Sequence, residues 1–361
     1  MKWAVLLLAL MLGAPSYARK KPDPGPLFSS RADYGAFVKS IASNIQMDPV
    51  ELEKIFSDVH LKPQIVRAIS LPAEAKPWDQ YRPLFVNDRR ILGGARFWDE
   101  HAAALLRARE RFGVSESMII AILGVETVYG RNTGGYRVMD ALTTLAVDYP
   151  PRADYFRKEL EQYLQLARER GIDPLSVKGS YAGAMGIGQF MPSSYRKYGL
   201  DFDGDGHSDL WRNTDDAIGS VANYFSSFGW KTGEPVAVKV EVKGEETREF
   251  ANTGWGARKS VEEWQKRGVA SQVNLPPQAE AMLVRLETAN GPEYWLGFQN
   301  YYVTTRYNRS LQYALAVYQL SREIESVRAS AYSSRPDDTA AGSATLSAAG
   351  AVRAHSDVPE K

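Results

Sequence analysis

A single carboxylate, Glu126, lies inside an apolar run and is the residue of this chain best placed for chemistry. Residues 115–130, SESMIIAILGVETVYG, are hydrophobic around nearly the whole circumference of a helix, which is typical of a buried helix. Ser115 is suited to cap the start of this helix, and Gly130 is suited to its end. Because an apolar site disfavours a charged carboxylate, we expect a raised pKa for Glu126, as a general acid requires. The alternative is a structural glutamate on a solvated stripe or paired with Arg131.

A second candidate segment covers residues 179–190, GSYAGAMGIGQF, where four glycines alternate with small and apolar residues. Glycines outside a regular repeat indicate a close approach of the backbone to another element or to a ligand. Ser180 and Gln189 are the polar side chains here best suited to hydrogen-bond a sugar hydroxyl or amide. The alternative is tight helix packing in which Ser180 serves only as a cap.

An aspartate-rich segment, DFDGDGHSDLWRNTD, begins at residue 201 and matches the first half of an EF-hand calcium loop. Such a loop places oxygen ligands at alternate positions and a glycine at the sharp turn. The twelfth position, where an EF-hand carries a bidentate glutamate, is Arg212, so the loop is longer than usual if it binds a cation. The candidate ligands are Asp201, Asp203, Asp205, the backbone carbonyl of His207, and Asp215. The alternative is an aspartate-rich turn without a metal.

The elements that must position these residues are mainly helical. Apolar residues recur at spacings of three and four over residues 30–71, 95–112, 115–130, 155–170, 215–228 and 310–327, which predicts helices. Between residues 231 and 291 the pattern changes to an alternation of valines with other residues at 236–242, which is the period of a strand. We therefore predict a mainly α protein (α+β overall) with a small α+β insertion.

The ends of the chain and its composition restrict location and partners. Residues 1–18 combine Lys2, a short apolar run and a small residue at positions 16 and 18, which predicts a secretory signal peptide cleaved after Ala18. Cysteine is absent, so no cysteine carries a bacterial lipid anchor. With 44 basic and 43 acidic residues, the chain lacks the basic footprint of a nucleic-acid-binding protein. We expect a soluble periplasmic protein without a membrane anchor.

Several long motifs resemble the lytic murein transglycosylase B family, whose members cleave peptidoglycan on a lysozyme-like scaffold. The resemblance covers residues 77–320 and rests on AILGVETVYGRNTGGYRVMDALTTLA, YFRKELEQYL, GSYAGAMGIGQFMPSSYRKY, DFDGDGHSDLW, DAIGSVANYF and TRYNRSLQYALAVYQL. Some members of the family are lipoproteins, and this chain departs from them in having no cysteine. With the resemblance, the predicted organisation is a signal peptide (1–18), a flexible lead (19–30), an N-terminal helical region (31–80), a lysozyme-like core (81–230 and 292–328) with the EF-hand-like loop at 201–215, the insertion (231–291) and a disordered tail (329–361).

The resemblance implies a reaction with one catalytic carboxylate. Glu126 would protonate the bond between N-acetylmuramic acid and N-acetylglucosamine, and the substrate's acetamido group would assist. Glu126 would then deprotonate the C6 hydroxyl, which gives a 1,6-anhydro product without water. No catalytic cofactor is implied, and the expected calcium is structural. The implied partners are peptidoglycan glycan strands, with other cell-wall enzymes left open.

By the same resemblance, a group of polar and aromatic residues would line the substrate cleft: Ser180, Gln189, Tyr224, Tyr307, Asn308, Tyr313 and Tyr81. Core packing is the alternative for each aromatic residue. Sequence alone leaves Asp140 or Asp216 open as a second catalytic carboxylate. It also leaves open a hydrolytic muramidase on the same fold, or a non-catalytic protein that binds peptidoglycan.

Overall fold

A computed structural model describes residues 24–70 and 76–333, and this part of the chain is rich in helices. The helices of its first half are α1 (Tyr34–Ile45), α2 (Pro49–Phe56), α3 (Pro63–Ile69), α4 (Trp78–Tyr81), α5 (Asp88–Glu100), α6 (Ala102–Phe112), α7 (Glu116–Thr127) and α8 (Val138–Asp148). Those of its second half are α9 (Ala153–Glu169), α10 (Pro192–Tyr198), α11 (Thr214–Ser227), α12 (Glu245–Arg248), α13 (Val261–Lys266), α14 (Gln299–Tyr307) and α15 (Leu311–Ser333).

Helix α7 occupies the centre of the helical part and packs against α5, α6, α11 and α15. Ten of its twelve residues are buried, as the all-round hydrophobic pattern predicts for a helix covered on every side. The buried residues of α1–α3 belong to the same hydrophobic core as those of α7. The N-terminal helices therefore extend the main core.

Two sheets complete the fold of the described residues. The strands are β1 (Tyr136–Arg137), β2 (Lys178–Gly179), β3 (Ala237–Val242), β4 (Lys259–Ser260), β5 (Val269–Ser271), β6 (Glu280–Leu286) and β7 (Glu293–Gly297). Strands β1 and β2 pair with each other, and the other five form an antiparallel sheet in the order β4-β6-β7-β3-β5. Inward-facing residues of this sheet close a second core around Trp264 of α13, which is fully buried.

Several sequence-based boundaries need correction. Residues 24–30 of the predicted flexible lead are ordered, because Phe28 is fully buried among Tyr34, Phe37 and Phe56. The predicted helix at 95–112 is broken at His101, between α5 and α6. The sheet of the insertion runs beyond residue 291 to the end of β7, and α15 continues past residue 328.

The predicted signal peptide and residues 334–361 of the predicted tail lie outside the described residues. Within residues 24–70 and 76–333, no helix is both long enough and apolar enough to cross a membrane.

Candidate active site

The Glu126 carboxyl lies in the last turn of α7, where the buried helix reaches the surface. Glu126 as a whole is half-buried, and the hydroxyl of Tyr313 on α15 donates a hydrogen bond to its Oε1 at 2.5 Å. Burial raises the pKa of Glu126 to about 8, although the Tyr313 hydrogen bond and the charge of Arg90 oppose this shift. The expected rise in pKa is confirmed. The cation that acts on Glu126 is Arg90 of α5, whereas the alternative expectation named Arg131.

The chain leaves α7 in a left-handed conformation. Val128 and Tyr129 have φ angles of 53° and 61°, and Gly130 follows with 80°. A β-branched residue at positive φ is an outlier that persists only when the surrounding structure enforces it. The helix ends at Thr127, before the predicted Gly130, and Ser115 at its start forms no capping hydrogen bond through its side chain.

The ring of Tyr129 is enclosed by three glycines, which accounts for the left-handed turn. A Cβ atom added to Gly93, Gly94 or Gly124 would meet Tyr129 atoms at 2.8, 2.6 and 2.5 Å, respectively. The Tyr129 hydroxyl donates to the carbonyl of Arg90 at 2.6 Å. The ring thereby joins α5 to the end of α7, three residues after Glu126.

The glycine-rich segment at 179–190 lies beside the end of α7. Its backbone forms short antiparallel bridges at Met185, so the segment itself is not a helix. Gly183 does approach helix α8 closely, because an added Cβ would lie 2.3 Å from the side chain of Leu142. The Thr127 hydroxyl donates to the carbonyl of Ile187 at 2.7 Å, and the Tyr307 hydroxyl donates to the carbonyl of Gly188. Two side chains next to the carboxylate therefore hold this segment in place.

Ser180 and Gln189 occupy defined positions in this segment. Ser180 is buried, and its hydroxyl accepts the backbone N–H of Ala184 at 3.1 Å, which leaves its proton to donate. Gln189 has a φ of 52°, and its side-chain Nε2 donates to the carbonyls of Thr133 and Gly186 at 3.1 and 3.0 Å. The side-chain carbonyl of Gln189 is the atom that can accept a bond from a ligand.

The aromatic candidates divide into groove and core positions. Tyr224, Tyr307 and Asn308 line a groove of about 1080 Å³, and the hydroxyl of Tyr224 donates to the carbonyl of Arg306 at 2.7 Å. The charge of Glu126 contributes to the raised pKa of Tyr307, so this residue lies within electrostatic reach of the carboxylate. Tyr313 is fully buried and contacts Glu126 through its hydroxyl.

Tyr81 is a core residue. It is 1% exposed and packs against Trp78 and Phe85, with ring centroids 6.2 and 5.0 Å away. Its place in the wall of the cleft stays a prediction, because Tyr313, which is equally buried, still contacts Glu126 through its hydroxyl. Electrostatic interaction with Tyr81 contributes to the raised pKa of Tyr313, so the two residues lie near each other.

Asp140 and Asp216 are both committed to structural contacts. Asp140 is 1% exposed and binds Arg137 through both oxygens, at 2.9 and 3.0 Å, and Lys62 at 3.3 Å. Asp216 is fully buried and accepts the backbone N–H groups of Phe202 and Asp209, each at 2.7 Å. Because these contacts occupy both carboxylates, neither Asp140 nor Asp216 is placed as a nucleophile opposite Glu126.

The aspartate loop brings three of the predicted ligands together. Asp201, Asp203 and Asp205 each place a carboxylate oxygen within 4.8 Å of the others. Asp201 also accepts the N–H groups of Gly204 and Gly206, at 2.7 and 2.8 Å, which shapes the turn around the cluster. Three converging carboxylates at alternate positions fit a hard divalent cation.

Asp215 does not join this cluster. Its carboxylate binds Arg107 of α6 at 2.9 Å, and its role as a metal ligand stays a prediction. Asn213, which the sequence analysis missed, donates to Asp203 at 2.7 Å and also caps α11. Asp216 was considered only as a second catalytic carboxylate, and its contacts to the loop were missed. The paired aspartates at the start of α11 were the signal that could have identified them.

Comparisons with known proteins agree with this architecture. A family model described as a transglycosylase SLT domain matches residues 29–322. Membrane-bound lytic murein transglycosylase B of Escherichia coli (strain K12) is 39% identical over 311 residues, which are 83% of this chain and 85% of that protein. The crystal structure of soluble lytic transglycosylase SltB1 from Pseudomonas aeruginosa is 49% identical, covers 82% of this chain and 99% of its own, and has a TM-score of 0.76.

A third relative is a solved structure that contains calcium. The Escherichia coli lytic transglycosylase Slt35, solved in complex with calcium, is 39% identical and has a TM-score of 0.76. The match covers 84% of this chain and 96% of that one.

Proposed function

The chain belongs to the transglycosylase SLT domain family, and from this premise we propose that Glu126 is the single acid–base residue of its active site. The protein is a peptidoglycan lytic transglycosylase on a lysozyme-like, mainly helical fold. It cleaves the β-1,4 bond between N-acetylmuramic acid and N-acetylglucosamine and forms a 1,6-anhydromuramic acid end. The observation that carries the proposal is the enclosed Glu126 carboxyl, which Tyr313 contacts and which is protonated near neutrality.

The proposed reaction uses the same carboxyl group twice. Glu126 first gives its proton to the glycosidic oxygen, and the N-acetylglucosamine leaves with that oxygen. The 2-acetamido oxygen of the muramic acid stabilises the positive anomeric carbon, as in substrate-assisted glycosidases. The Glu126 carboxylate then takes the proton of the C6 hydroxyl while that oxygen bonds to C1. The acid is regenerated, and no water is consumed.

The surrounding residues have proposed binding roles. Ser180 has a hydroxyl proton that can be donated to the acetamido group, and Gln189 presents a carbonyl to another sugar hydroxyl. Tyr224, Tyr307 and Asn308 line the groove that receives the glycan strand. Tyr313 holds Glu126 through its hydroxyl, and Tyr81 is proposed as a further wall residue of the cleft.

The aspartate loop is proposed to bind a structural calcium ion. Asp201, Asp203 and Asp205 would hold the ion together with the backbone carbonyl of His207. Calcium would supply loop rigidity and no reaction step, because it activates neither the glutamate nor the sugar hydroxyl. The relative solved in complex with calcium supports this assignment.

The proposed location is the periplasm after removal of residues 1–18, with peptidoglycan glycan strands as the binding partner. Other cell-wall enzymes stay open as further partners. A leader that ends at Ala18 and the absence of cysteine motivate this proposal.

A product assay with purified sacculi tests the catalytic assignment. We expect Glu126→Gln to lower turnover by at least about a hundredfold, because the amide keeps the shape but delivers no proton. Glu116→Gln, on the same helix and paired with Arg109 at 3.0 Å, is the matched control and should keep most activity. Wild-type products should end in anhydromuramic acid, one water lighter in mass than the hydrolysis product. Reducing muramic acid ends would instead indicate a muramidase, and an active Glu126→Gln variant would place the catalytic acid elsewhere.

A further inference from the structure

The insertion contacts the helical part of the molecule through a series of stacked flat side chains. Trp255 of the insertion lies parallel to the ring of Tyr302 on α14, with ring centroids 5.0 Å apart and an angle of 14° between the planes. About one helical turn later, the guanidinium group of Arg306 lies 6.0 Å from the centre of the Tyr302 ring. The same group lies 5.5 Å from the ring centre of Phe228, which follows α11. We call these four residues the stacked ladder.

The stacked ladder ends at the wall of the groove. Arg306 lines the groove together with Tyr224 and Tyr307. The backbone carbonyl of Arg306 accepts the hydroxyl of Tyr224 at 2.7 Å. The ring centroid of Tyr224 lies 4.6 Å from that of Phe228 and 4.9 Å from that of Tyr307. The position of a proposed sugar-binding ring therefore depends on two members of the stacked ladder.

Stacking is the interaction that fixes the side chain of Arg306. This residue is half-buried, and within residues 24–70 and 76–333 it forms no ion pair within 4.0 Å. A guanidinium group is planar and stacks favourably on aromatic faces. The rings of Tyr302 and Phe228 therefore determine where this group lies along the groove.

Trp255 is itself anchored in the insertion. It begins a short 3-10 helix, Trp255–Ala257, that packs on β6. The guanidinium group of Arg258 lies over its ring at 5.2 Å, and Arg258 pairs with Glu280 of β6 at 2.8 Å. Aromatic pairs and cation–π contacts stabilise beyond the area that they bury. A ring held in this way can restrict the movement of Tyr302.

We propose that Trp255 is a positioning residue of the groove, because it holds Tyr302 and Tyr302 holds Arg306. The insertion then helps to bind the glycan strand although Trp255 does not reach the reacting bond. This inference rests on the proposed function, since it uses the polymer that the groove is proposed to receive. The contacts of Glu126 lie outside the stacked ladder, so the role concerns binding of the strand and not the proton transfer.

Steady-state rates on soluble glycan strands test this role. Trp255→Leu keeps apolar bulk but removes the flat ring, and it should raise KM by roughly two- to tenfold, as the loss of one aromatic contact implies. Its kcat and its alkaline fall of kcat/KM should match those of the wild type. Trp255→Phe restores a ring that can stack, so its KM should return to within about twofold of the wild-type value.

A double-mutant cycle tests the route through Tyr302. Tyr302→Leu should raise KM at least as much as Trp255→Leu. Trp255→Leu/Tyr302→Leu should have the KM of Tyr302→Leu alone, because the ring through which Trp255 acts is then absent.

Phe250→Leu is the matched control. Phe250 is another half-buried aromatic residue of the insertion, and Lys259 and Arg267 lie over its ring at 5.3 and 4.9 Å. It packs against the second core, around Trp264, and not against α14. This variant should lower the stability of the insertion and keep the wild-type KM. Calorimetry gives the Tm of each variant, and all rates are measured well below the lowest Tm.

Four results would overturn the proposal: an unchanged KM in Trp255→Leu, a loss of kcat in place of the rise in KM, an equal rise in Phe250→Leu, or additive effects of Trp255→Leu and Tyr302→Leu. Failure of the proposed function gives a different result, namely turnover that does not depend on Glu126.

Discussion

At the scale of single residues, the contacts of Glu126 serve both of its proposed protonation states. Burial keeps the proton on the resting carboxyl. The Tyr313 hydroxyl and the charge of Arg90 favour the carboxylate that forms after the proton is given away. Burial also raises the pKa of Tyr313 well above its ordinary value, so the phenol keeps the proton it donates. One carboxyl group can therefore act as acid and then as base.

The pH dependence of activity follows from this balance. The protonated form of Glu126 starts the reaction, so kcat/KM should be level in the neutral range and fall as pH rises through about 8. Tyr313→Phe removes a hydrogen bond that lowers the pKa of Glu126. In this variant the fall of kcat/KM on the alkaline side should therefore move to higher pH, and the kcat/KM reached at neutral pH should be lower. Tyr34→Phe is the control, because the Tyr34 hydroxyl donates to the carbonyl of Glu53. This variant should lose activity over the same pH range as the wild type. Rates on soluble glycan fragments provide the measurement, and a Tyr313→Phe limb at lower pH would refute the assignment.

At the scale of elements, the sequence predicts the helices and strands whose hydrophobic periodicity lies within a single segment of the chain. The buried helix around Glu126 and the strand at 236–242 follow from periodicity, since each pattern reports burial of its own segment. The positive φ angles of Val128 and Tyr129 after α7 could not be predicted from periodicity. They depend on Tyr129 fitting against Gly93 and Gly94, which lie more than thirty residues away in the chain.

Gly124→Ala tests the enclosure of Tyr129. Alanine normally stabilises a helix interior by about 1 kcal/mol relative to glycine. Here the new methyl group would lie 2.5 Å from the Tyr129 hydroxyl, so we expect a net loss of about 1–3 kcal/mol in unfolding free energy and a lower kcat. Gly35→Ala, in α1 with no atom within 4 Å of the added Cβ, is the control and should be neutral or stabilising. Denaturant unfolding measures both.

Part of the Gly124→Ala loss should be recovered in Gly124→Ala/Tyr129→Phe, because the nearest clashing atom is then absent. A Gly124→Ala variant as stable as Gly35→Ala would show that the ring of Tyr129 moves freely.

Calcium should stabilise the protein through the aspartate loop. A ligand that binds only the folded state stabilises it by about 2.7 kcal/mol at a hundred times its dissociation constant, which raises Tm by several degrees. Asp201→Ala should abolish the difference in Tm between calcium-loaded and chelator-treated protein, whereas Glu51→Gln, an exposed change in α2, should preserve it. Differential scanning calorimetry gives both values. An unchanged Tm of the wild type in millimolar calcium would mean that the loop is only a turn.

At the scale of the whole molecule, residues 24–70 and 76–333 form two hydrophobic cores and not one for each predicted region. Residues of α1–α3 share the main core with α7. The five-stranded sheet contributes to both cores, because Met282 and Val284 join the main core while Leu283 packs in the core around Trp264. Sequence predicted the insertion because its strand pattern contrasts with the helices around it. It could not predict that the N-terminal helices merge with the catalytic core, since amphipathic helices look alike whether they pack on each other or on a distant element.

Asp140 fastens the N-terminal helices to the core and provides the last test. It binds Arg137, Lys62 and the backbone N–H of His60, so it joins the segment before α3 to the start of α8. Asp140→Asn leaves two cations without their buried partner and should lower the unfolding free energy by about 2–5 kcal/mol. Asp58→Asn is the control, because Asp58 pairs with the same Arg137 at 2.7 Å but with 57% of its side chain exposed, and it should change stability by less than about 1 kcal/mol.

Turnover measured well below Tm separates this structural role from a catalytic one. Asp140→Asn should keep kcat within a few-fold of the wild type, because its oxygens are held by Arg137 and Lys62 and not by substrate. A second catalytic carboxylate would instead lose about a hundredfold or more in kcat when converted to its amide. A fall of that size in folded Asp140→Asn would mean that the reaction needs two carboxylates, and the one-carboxylate mechanism would have to be abandoned.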